Sequence, residues 1–301
     1  MDKKDIKKDV RQFYDTVGWQ KIGDDHFQNA EYEDLRPVSA EYIHRCHMRV
    51  KRHLASEGRY LLDAGSGPVQ YPEYVTYSEG YQARVCMDIS IIALKAAREH
   101  LGSTGMYIVG DVTHLPFAPD IFDGIVSLHT IHHVPMDEKI PSYEELYRVL
   151  KPGRSMVVVD GWTKTPLMDR LAGFMSWVRK MRNRWEQKKI QAADDPQAAR
   201  QESNKTEQEI EVSQTKPSGT FVQKLDAHWL INALEGRMPY QILVWRSVSV
   251  NFLRSVIHAD WGGRFWLKVI YRLEEFFPQL LGRIGQYPLV VIEKLEKERE
   301  S

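Results

Sequence analysis

The stretch Leu61-Leu62-Asp63-Ala64-Gly65-Ser66-Gly67-Pro68 decides the fold. Arg59 to Asp63 is a short apolar run ending on an acid, and the glycines behind it let the backbone turn tightly and approach a ligand. The same rhythm repeats outward. Ala83 to Asp88 is a second strand ending on an acid, and Ser90 caps a helix expected to reach about His100. Met106 to Val109 ends at Gly110-Asp111, and Gly124 to His129 follows Asp123. A helix from about Asp137 to Leu150 and the turn Lys151-Pro152-Gly153 lead into a strand from Ser155 to Asp160. Alternation at this spacing predicts an α/β fold with right-handed crossovers and a parallel sheet covered on both faces.

The flanks are read from periodicity. Before the first strand, a polar segment with Phe13, Tyr14, Trp19, Phe27 and Tyr32 suggests a short helix and a loop, and Ser39 is the expected N-cap of a helix to about Ser56. His44 and His47 are read as partly exposed residues of that helix. Beyond the last acid, residues 165–184 form an amphipathic helix with Leu167, Leu171, Phe174, Met175 and Val178 on one side and Arg170, Arg179, Lys180, Arg182 and Arg184 on the other. Residues 186–219 have almost no large apolar side chain and read as a mobile insertion. A helix over Phe221–Leu234, a strand over Tyr240–Val248, an aromatic-rich helix over Trp261–Phe277 and a strand over Tyr287–Ile292 complete the pattern.

Composition narrows the classes. The 301 residues carry 41 Lys plus Arg and 41 Asp plus Glu, so no chain-wide polyphosphate-binding surface is expected. A hydrophobic fraction of 43% suffices for a full core, and two cysteines are too few for a disulfide framework or a Cys-rich zinc site. Without a signal-peptide pattern or a run of apolar residues able to span a bilayer, the expected location is the cytoplasm. The neutral total hides an asymmetry: Arg179–Lys189 is basic and Asp194–Glu211 acidic. Length alone suggests about two domains by the rule of roughly 150 residues each. The strand pattern favours one sheet, divided as 1–58 (N-terminal lid and helix), 59–160 (core), 161–239 (helical cap with the insertion) and 240–301 (closing strands and aromatic helix).

In an open parallel sheet ligands bind beyond the carboxyl ends of the strands. Asp88 there can accept both hydroxyls of a ribose, and Asp111 can accept from an adenine amino group. A dinucleotide fingerprint would need glycine where Gln70 stands, Pro68-Val69-Gln70-Tyr71-Pro72 is a poor helix start for cradling a pyrophosphate, and no Lys-containing phosphate loop is present. A nucleoside without phosphates fits better.

These residues carry a resemblance. Leu61 to Pro68 resembles the first motif of class I S-adenosylmethionine-dependent methyltransferases, Asp88 matches that family's ribose-binding acid, and Gly110 to Phe117 resembles its adenine-side motif. Phe122 to His129 and Glu145 to Gly153 resemble the motifs around its fourth and fifth strands, and Tyr287 to Ile292 its last, antiparallel strand. The resemblance implies a Rossmann-like doubly wound sheet of seven strands, mostly parallel with the last antiparallel. It implies S-adenosyl-L-methionine as cofactor, held by Asp63, Gly65, Ser66, Gly67, Asp88, Ile89, Asp111, Val112 and His129, with Tyr14 on an N-terminal lid. The family's first motif often carries a third glycine, which Pro68-Val69-Gln70-Tyr71 replaces here, so Tyr71 is expected to line the site.

Methyl transfer to a hydroxyl also needs a base, and His132 and His133 lie just beyond the fourth strand, so both are candidates. The expected reaction is in-line transfer to an oxygen or carbon of a small acceptor, hydrophobic or linked to a lipid or glycan. An RNA or protein methyltransferase and a non-catalytic cofactor-binding scaffold are the alternatives. The Asn/Asp-Pro-Pro-Tyr/Phe motif is missing after the fourth strand, and DNA is not expected as a partner. The helix over 165–184 can lie on an anionic membrane surface, cover a pocket or bind a partner. The simpler expectation is that it and the aromatic helix pack on each other as a cap over the cleft. Oligomeric state is not legible.

Overall fold

The computed structural model describes residues 2–22, 26–192 and 220–296. The chain divides into two compact units, Met1–Asp169 with Thr220–Ser301, and Arg170–Gly219.

The first unit is built on seven strands: β1 (Gly58–Ala64), β2 (Tyr81–Asp88), β3 (Gly105–Val109), β4 (Gly124–Leu128), β5 (Ser155–Val159), β6 (Tyr240–Arg246) and β7 (Tyr287–Glu293). They lie in the order β3-β2-β1-β4-β5-β7-β6, parallel except for β7, which runs antiparallel to both β5 and β6. The chain order reverses between β1 and β4, so the crevice beyond their carboxyl ends is the natural ligand site. The strands are apolar on both faces. Leu62, Val85, Ile125, Met156 and Val290 pack on Tyr143 and Leu146 from the helix Met136–Val149, whereas Leu61, Val126, Val157 and Val291 pack on Val50 and Tyr77.

The helices of the first half are α1 (Lys3–Phe13), α2 (Ala40–Lys51), α3 (Pro72–Thr76), α4 (Ile91–Leu101) and α5 (Met136–Val149). Ser90 Oγ accepts from Ala93 N, the expected cap of α4. Ser39 stands at the N-terminus of α2, but its hydroxyl donates to Asp34 Oδ2 at 2.6 Å and caps nothing, because the buried Asp34 carboxylate is the stronger acceptor. His47 is 1% exposed, contrary to the expectation, because Trp245 stacks on its ring at 5.3 Å.

Helix α6 (Pro166–Ala192) continues past the expected end at 184, so the first seven residues of the presumed mobile insertion are helical. The rest of that insertion, 193–219, lies outside the described residues. Within the second unit Phe174, Trp177, Met181 and Trp185 are exposed at three- and four-residue spacing. Helix α7 (Ala227–Leu234) starts later than the expected Phe221, since Asp226 caps it by accepting from Trp229 N and Leu225 is held in a bridge to Trp162. Helix α8 (Val250–Val256) was not anticipated. The aromatic segment divides at Gly262, whose left-handed φ of +67° separates a 3-10 turn from α9 (Gly263–Phe276), with α10 (Pro278–Ile284) behind it. Phe265, Trp266, Phe276 and Phe277, expected to be packed in a cap, are instead exposed.

Candidate active site

The site is assembled at the carboxyl ends of β1, β2, β3, β4 and β5. Gly65 and Gly67 adopt φ of +75° and +53°, and a Cβ on Gly65 would lie 2.2 Å from Thr130 Oγ1, so only glycine fits. Gly65 N and Ser66 N donate to Met87 O at 2.7 and 3.1 Å, which folds the loop back over β2. Asp88 then fixes it: Oδ2 accepts from Gly67 N at 2.9 Å and Oδ1 from Ser90 N at 2.8 Å. Burial pushes the Asp88 carboxyl up to about 6 against the pull of those two N–H groups. Ile89 is half-buried beside it.

Asp63 is committed elsewhere. Its Oδ2 accepts from Arg84 Nε at 3.1 Å and Arg84 NH2 at 2.5 Å, both partners almost wholly buried. That pair ties β1 to β2 beneath the loop. Tyr71 packs edge-on to His47 at 4.9 Å and to Tyr74 at 5.1 Å.

The N-terminal segment lies over the loop. Trp19 carbons would be 3.1 Å from a Cβ on Gly67, and Trp19 stacks on Tyr14 with ring centroids 5.0 Å apart. Ser90 Oγ donates to Asp15 Oδ1 at 2.5 Å. From α1, Lys7 Nζ reaches Asp111 Oδ2 at 2.8 Å, Glu138 Oε2 at 2.7 Å and Thr113 Oγ1 at 2.9 Å. Asp111 Oδ1 accepts from Thr113 N at 2.9 Å, and Val112 beside it is buried. Burial would raise the Asp111 carboxyl, but Lys7 and Thr113 together hold it below the usual carboxylate range.

The three histidines after β4 have different fates. His129 has a left-handed φ of +56°, and its N–H donates to Val159 O at 2.7 Å. Its ring meets Trp245 at 5.2 Å and Tyr287 at 5.8 Å, and burial lowers it to about 4, so it is neutral. His133 Nδ1 donates to Phe221 O at 2.7 Å, because a carbonyl only accepts; Nε2 therefore accepts from the Tyr14 hydroxyl, also at 2.7 Å. Both ring nitrogens are engaged, and burial, with His132 adjacent, lowers His133 to about 3. His132 Nδ1 is hydrogen-bonded to Asp160 Oδ1. A carboxylate cannot donate, so Nδ1 carries the proton and Nε2 is left to accept one. Burial opposes charge on Asp160, yet the His132 imidazole holds it below the usual range.

Sequence reasoning missed Asp160, Lys7, Asp15 and Trp19 as site residues. Asp160 carries the strand-terminal acid signal that pointed to Asp88; the N-terminal residues carry none. A second missed group lies next to His129. Arg246 NH1 is ion-paired with Glu33 in the interior, and its guanidinium lies 4.6 Å from the Tyr287 ring centroid. Trp245 Nε1 and Arg246 Nε are buried donors with no hydrogen-bond partner. Buried donors left unpaired are uncommon and costly.

Residues 62–158 match the family model described as "Methyltransferase domain". Over 176 residues the chain is 28% identical to sterol methyltransferase-like 1 of Botryococcus braunii, covering 54% of this chain and 43% of that protein. It is 27% identical over 143 residues to a ubiquinone/menaquinone biosynthesis C-methyltransferase of Haemophilus ducreyi, covering 45% of this chain and 54% of the other. The chain thus spans about half the length of these curated relatives. Among solved structures, the geranyl diphosphate C-methyltransferase of Streptomyces coelicolor aligns with a TM-score of 0.50 at 14% identity, over 96% of this chain and 98% of that one. The [4+2]-cyclase SpnF aligns with a TM-score of 0.50 at 16% identity, over 97% of both chains. At such identities these two likenesses speak for the fold alone.

Proposed function

Residues 62–158 match a methyltransferase-domain model, and from that match we propose that the protein is a class I S-adenosylmethionine-dependent methyltransferase that transfers a methyl group to an oxygen or carbon of a small, hydrophobic or lipid- or glycan-linked acceptor. The observation that carries the proposal is the coincidence of the Gly65–Gly67 turn, the half-buried Asp88 carboxylate and Asp111 at adjacent strand ends within the matched segment. A Cβ-free loop close to the backbone and a half-buried acid with lone pairs still available suit a nucleoside.

The cofactor, when bound, supplies an electrophilic methyl carbon on a sulfonium. Ionised Asp88 would accept hydrogen bonds from the cofactor's ribose hydroxyls, the Gly65–Gly67 backbone would receive its amino-acid end, and Asp111 would accept from its exocyclic amine. Tyr14 and Trp19 close over the loop and keep water out. His132 Nε2 takes the proton that the acceptor loses as its nucleophilic atom becomes available for attack. Asp160 acts through His132 as a positioning residue: it fixes the tautomer and stabilises the imidazolium that forms. His133 serves the lid by accepting from Tyr14. Trp245 Nε1 and Arg246 Nε suit an acceptor that presents carbonyl or hydroxyl oxygens, with its apolar body against Trp245 and Tyr287. Peripheral membrane association belongs to the same reading, since an acceptor of this kind resides in or near lipid.

Isothermal titration with S-adenosylmethionine tests cofactor binding, and incubation of a metabolite and lipid extract with methyl-labelled cofactor tests transfer. The expected results are saturable binding and a labelled product in the lipid-soluble fraction. Absence of binding removes the proposal; binding with label only in RNA or protein replaces the acceptor class.

A further inference from the structure

Helix α9 has its polarity reversed for a helix in water. The side that faces the protein carries Glu274, which is 0% exposed, together with Leu267 and Tyr271. Glu274 accepts from the Tyr42 hydroxyl at 2.8 Å, from Arg49 NH1 at 2.9 Å and from Ser247 N and Oγ at 2.8 and 2.6 Å, while Arg52 NH2 donates to the Tyr271 hydroxyl at 2.7 Å. A charged network thus anchors the helix to α2 and the end of β6. The side that faces away carries Phe265 and Phe276, 61% and 76% exposed, with Trp266 and Leu273 between them. Phe277 and Leu280 continue that face into α10, and Trp261 precedes it. Scattered exposed apolar residues are ordinary, but a contiguous aromatic face of this size on a helix marks a contact surface.

The charges around the face say what contacts it. Arg264, Lys268 and Arg272 stand at four-residue spacing along one margin of α9, and Arg283 stands on α10; all four are exposed. Of the acids on the same two helices, Glu274 is paired with Arg49, and Glu275 with Arg49 and Arg52. Asp260, just before α9, is the remaining carboxylate near the face. A second copy of the chain would oppose this cationic margin to itself. An aromatic face rimmed by Arg and Lys instead matches a surface whose headgroups are anionic and whose interior is hydrocarbon.

We propose that the outer face of α9 and α10 is a docking surface for an anionic phospholipid membrane. Phe265, Trp266, Phe276 and Phe277 enter the boundary between headgroups and acyl chains, while Arg264, Lys268, Arg272 and Arg283 meet the phosphates. The chain lies on the membrane without crossing it, since no helix among the described residues is long and apolar enough to span one. Ser247 hydrogen-bonds Glu274 directly after Trp245 and Arg246, so the docked helix is braced against the strand end that carries the unpaired donors.

The test is sedimentation of the full chain with phosphatidylcholine vesicles, with and without phosphatidylglycerol. Binding is expected only to the anionic vesicles and is expected to fall as salt rises. Phe265→Glu with Phe276→Glu is expected to lower the partition coefficient at least tenfold. Arg264→Glu with Lys268→Glu removes the preference for phosphatidylglycerol. Phe174→Glu with Trp177→Glu, on α6, leaves binding unchanged. All variants are checked for unchanged circular dichroism and cofactor binding. The proposal is overturned by absence of binding to either vesicle, by binding insensitive to the α9 changes, or by loss of binding only through α6. A chain that is dimeric in ultracentrifugation, becomes monomeric on Phe265→Glu and ignores vesicles also overturns it and makes a second copy the occupant. Because the assay reads binding and not transfer, its failure leaves the methyltransferase proposal standing.

Discussion

The rim of strand ends and the outer face of α9 are opposite solutions to the same constraint. At the rim, buried polar atoms find partners: both Asp88 oxygens take backbone N–H groups, both His133 nitrogens are engaged, and Asp160 is hydrogen-bonded to His132. On α9 the polar side is inside and satisfied by Arg49, Tyr42 and Ser247, and the aromatic side is left to solvent. Polar groups taken from water must be paired, whereas apolar groups left in water cost only their own hydration. Aromatic surface can therefore stay exposed at small cost, whereas a buried donor without a partner is costly. Trp245 Nε1 and Arg246 Nε are of that second kind, and they stand between the two regions.

The largest effects should come from the rim. His132→Gln is expected to lower methyl transfer about 10²- to 10⁴-fold, the usual contribution of a positioned base, with cofactor affinity unchanged in titration. Asp160→Asn should follow it, because an amide can present its N–H₂ to Nδ1 and favour the tautomer that protonates Nε2; His133→Gln should instead weaken lid closure and cofactor binding. If the two substitutions exchange phenotypes, the roles of the paired histidines are reversed. Asp88→Ala comes next: removing a half-buried acceptor of charge-assisted hydrogen bonds should weaken S-adenosylmethionine binding about 10²-fold, read by calorimetry. Unchanged affinity would move the ribose site elsewhere.

The rim was also the more legible region. Glycines with left-handed φ and acids at strand ends are local necessities of chain geometry, so Gly65, Gly67, Asp88 and Asp111 stand out from neighbouring residues alone, and five strands follow from short apolar runs. Asp160 carried the same signal and was passed over because its partner, His132, is 28 residues away. Lys7, Trp19 and the Glu33–Arg246 pair depend on long-range packing that no local pattern encodes. For α9 the periodicity correctly marks a helix with an apolar face, but periodicity says only that residues share a side. Glu274 decides which side is buried, through contacts with α2 and β6 that lie more than 200 residues and 27 residues away in sequence.

A smaller effect separates binding from fold. Asp88 has its carboxyl raised to about 6 in the free protein, and the hydrogen-bonding form is the ionised one. Cofactor affinity should therefore be full above pH 7 and fall as pH drops through 6, by about tenfold at pH 5. For folding the sign is opposite: a raised acid pKa means that the native state holds its proton more tightly, so this group favours the fold at low pH and disfavours it as pH rises through 6. Titrations across that range, repeated with Asp88→Asn, should show the affinity slope in the parent and a flat profile in the variant. A slope that survives the substitution belongs to another group.

The smallest expected effect tests the comparison most directly. If the outer face of α9 were core, Phe265→Gln would leave a cavity and cost about 3 kcal/mol or more, as for other buried aromatics. Because Phe265 is 61% exposed, the change should shift stability by less than about 0.5 kcal/mol in urea unfolding. Leu62→Ala, with Leu62 0% exposed in the sheet, should cost about 2 to 5 kcal/mol in the same experiment. Glu274→Gln should fall between them, since it keeps the packing but removes the charge opposite Arg49, leaving a buried guanidinium with one fewer anionic partner. The order Leu62, Glu274, Phe265 is the signature of a helix held by its charged side, and an order with Phe265 first would mean that the aromatic side is what holds it.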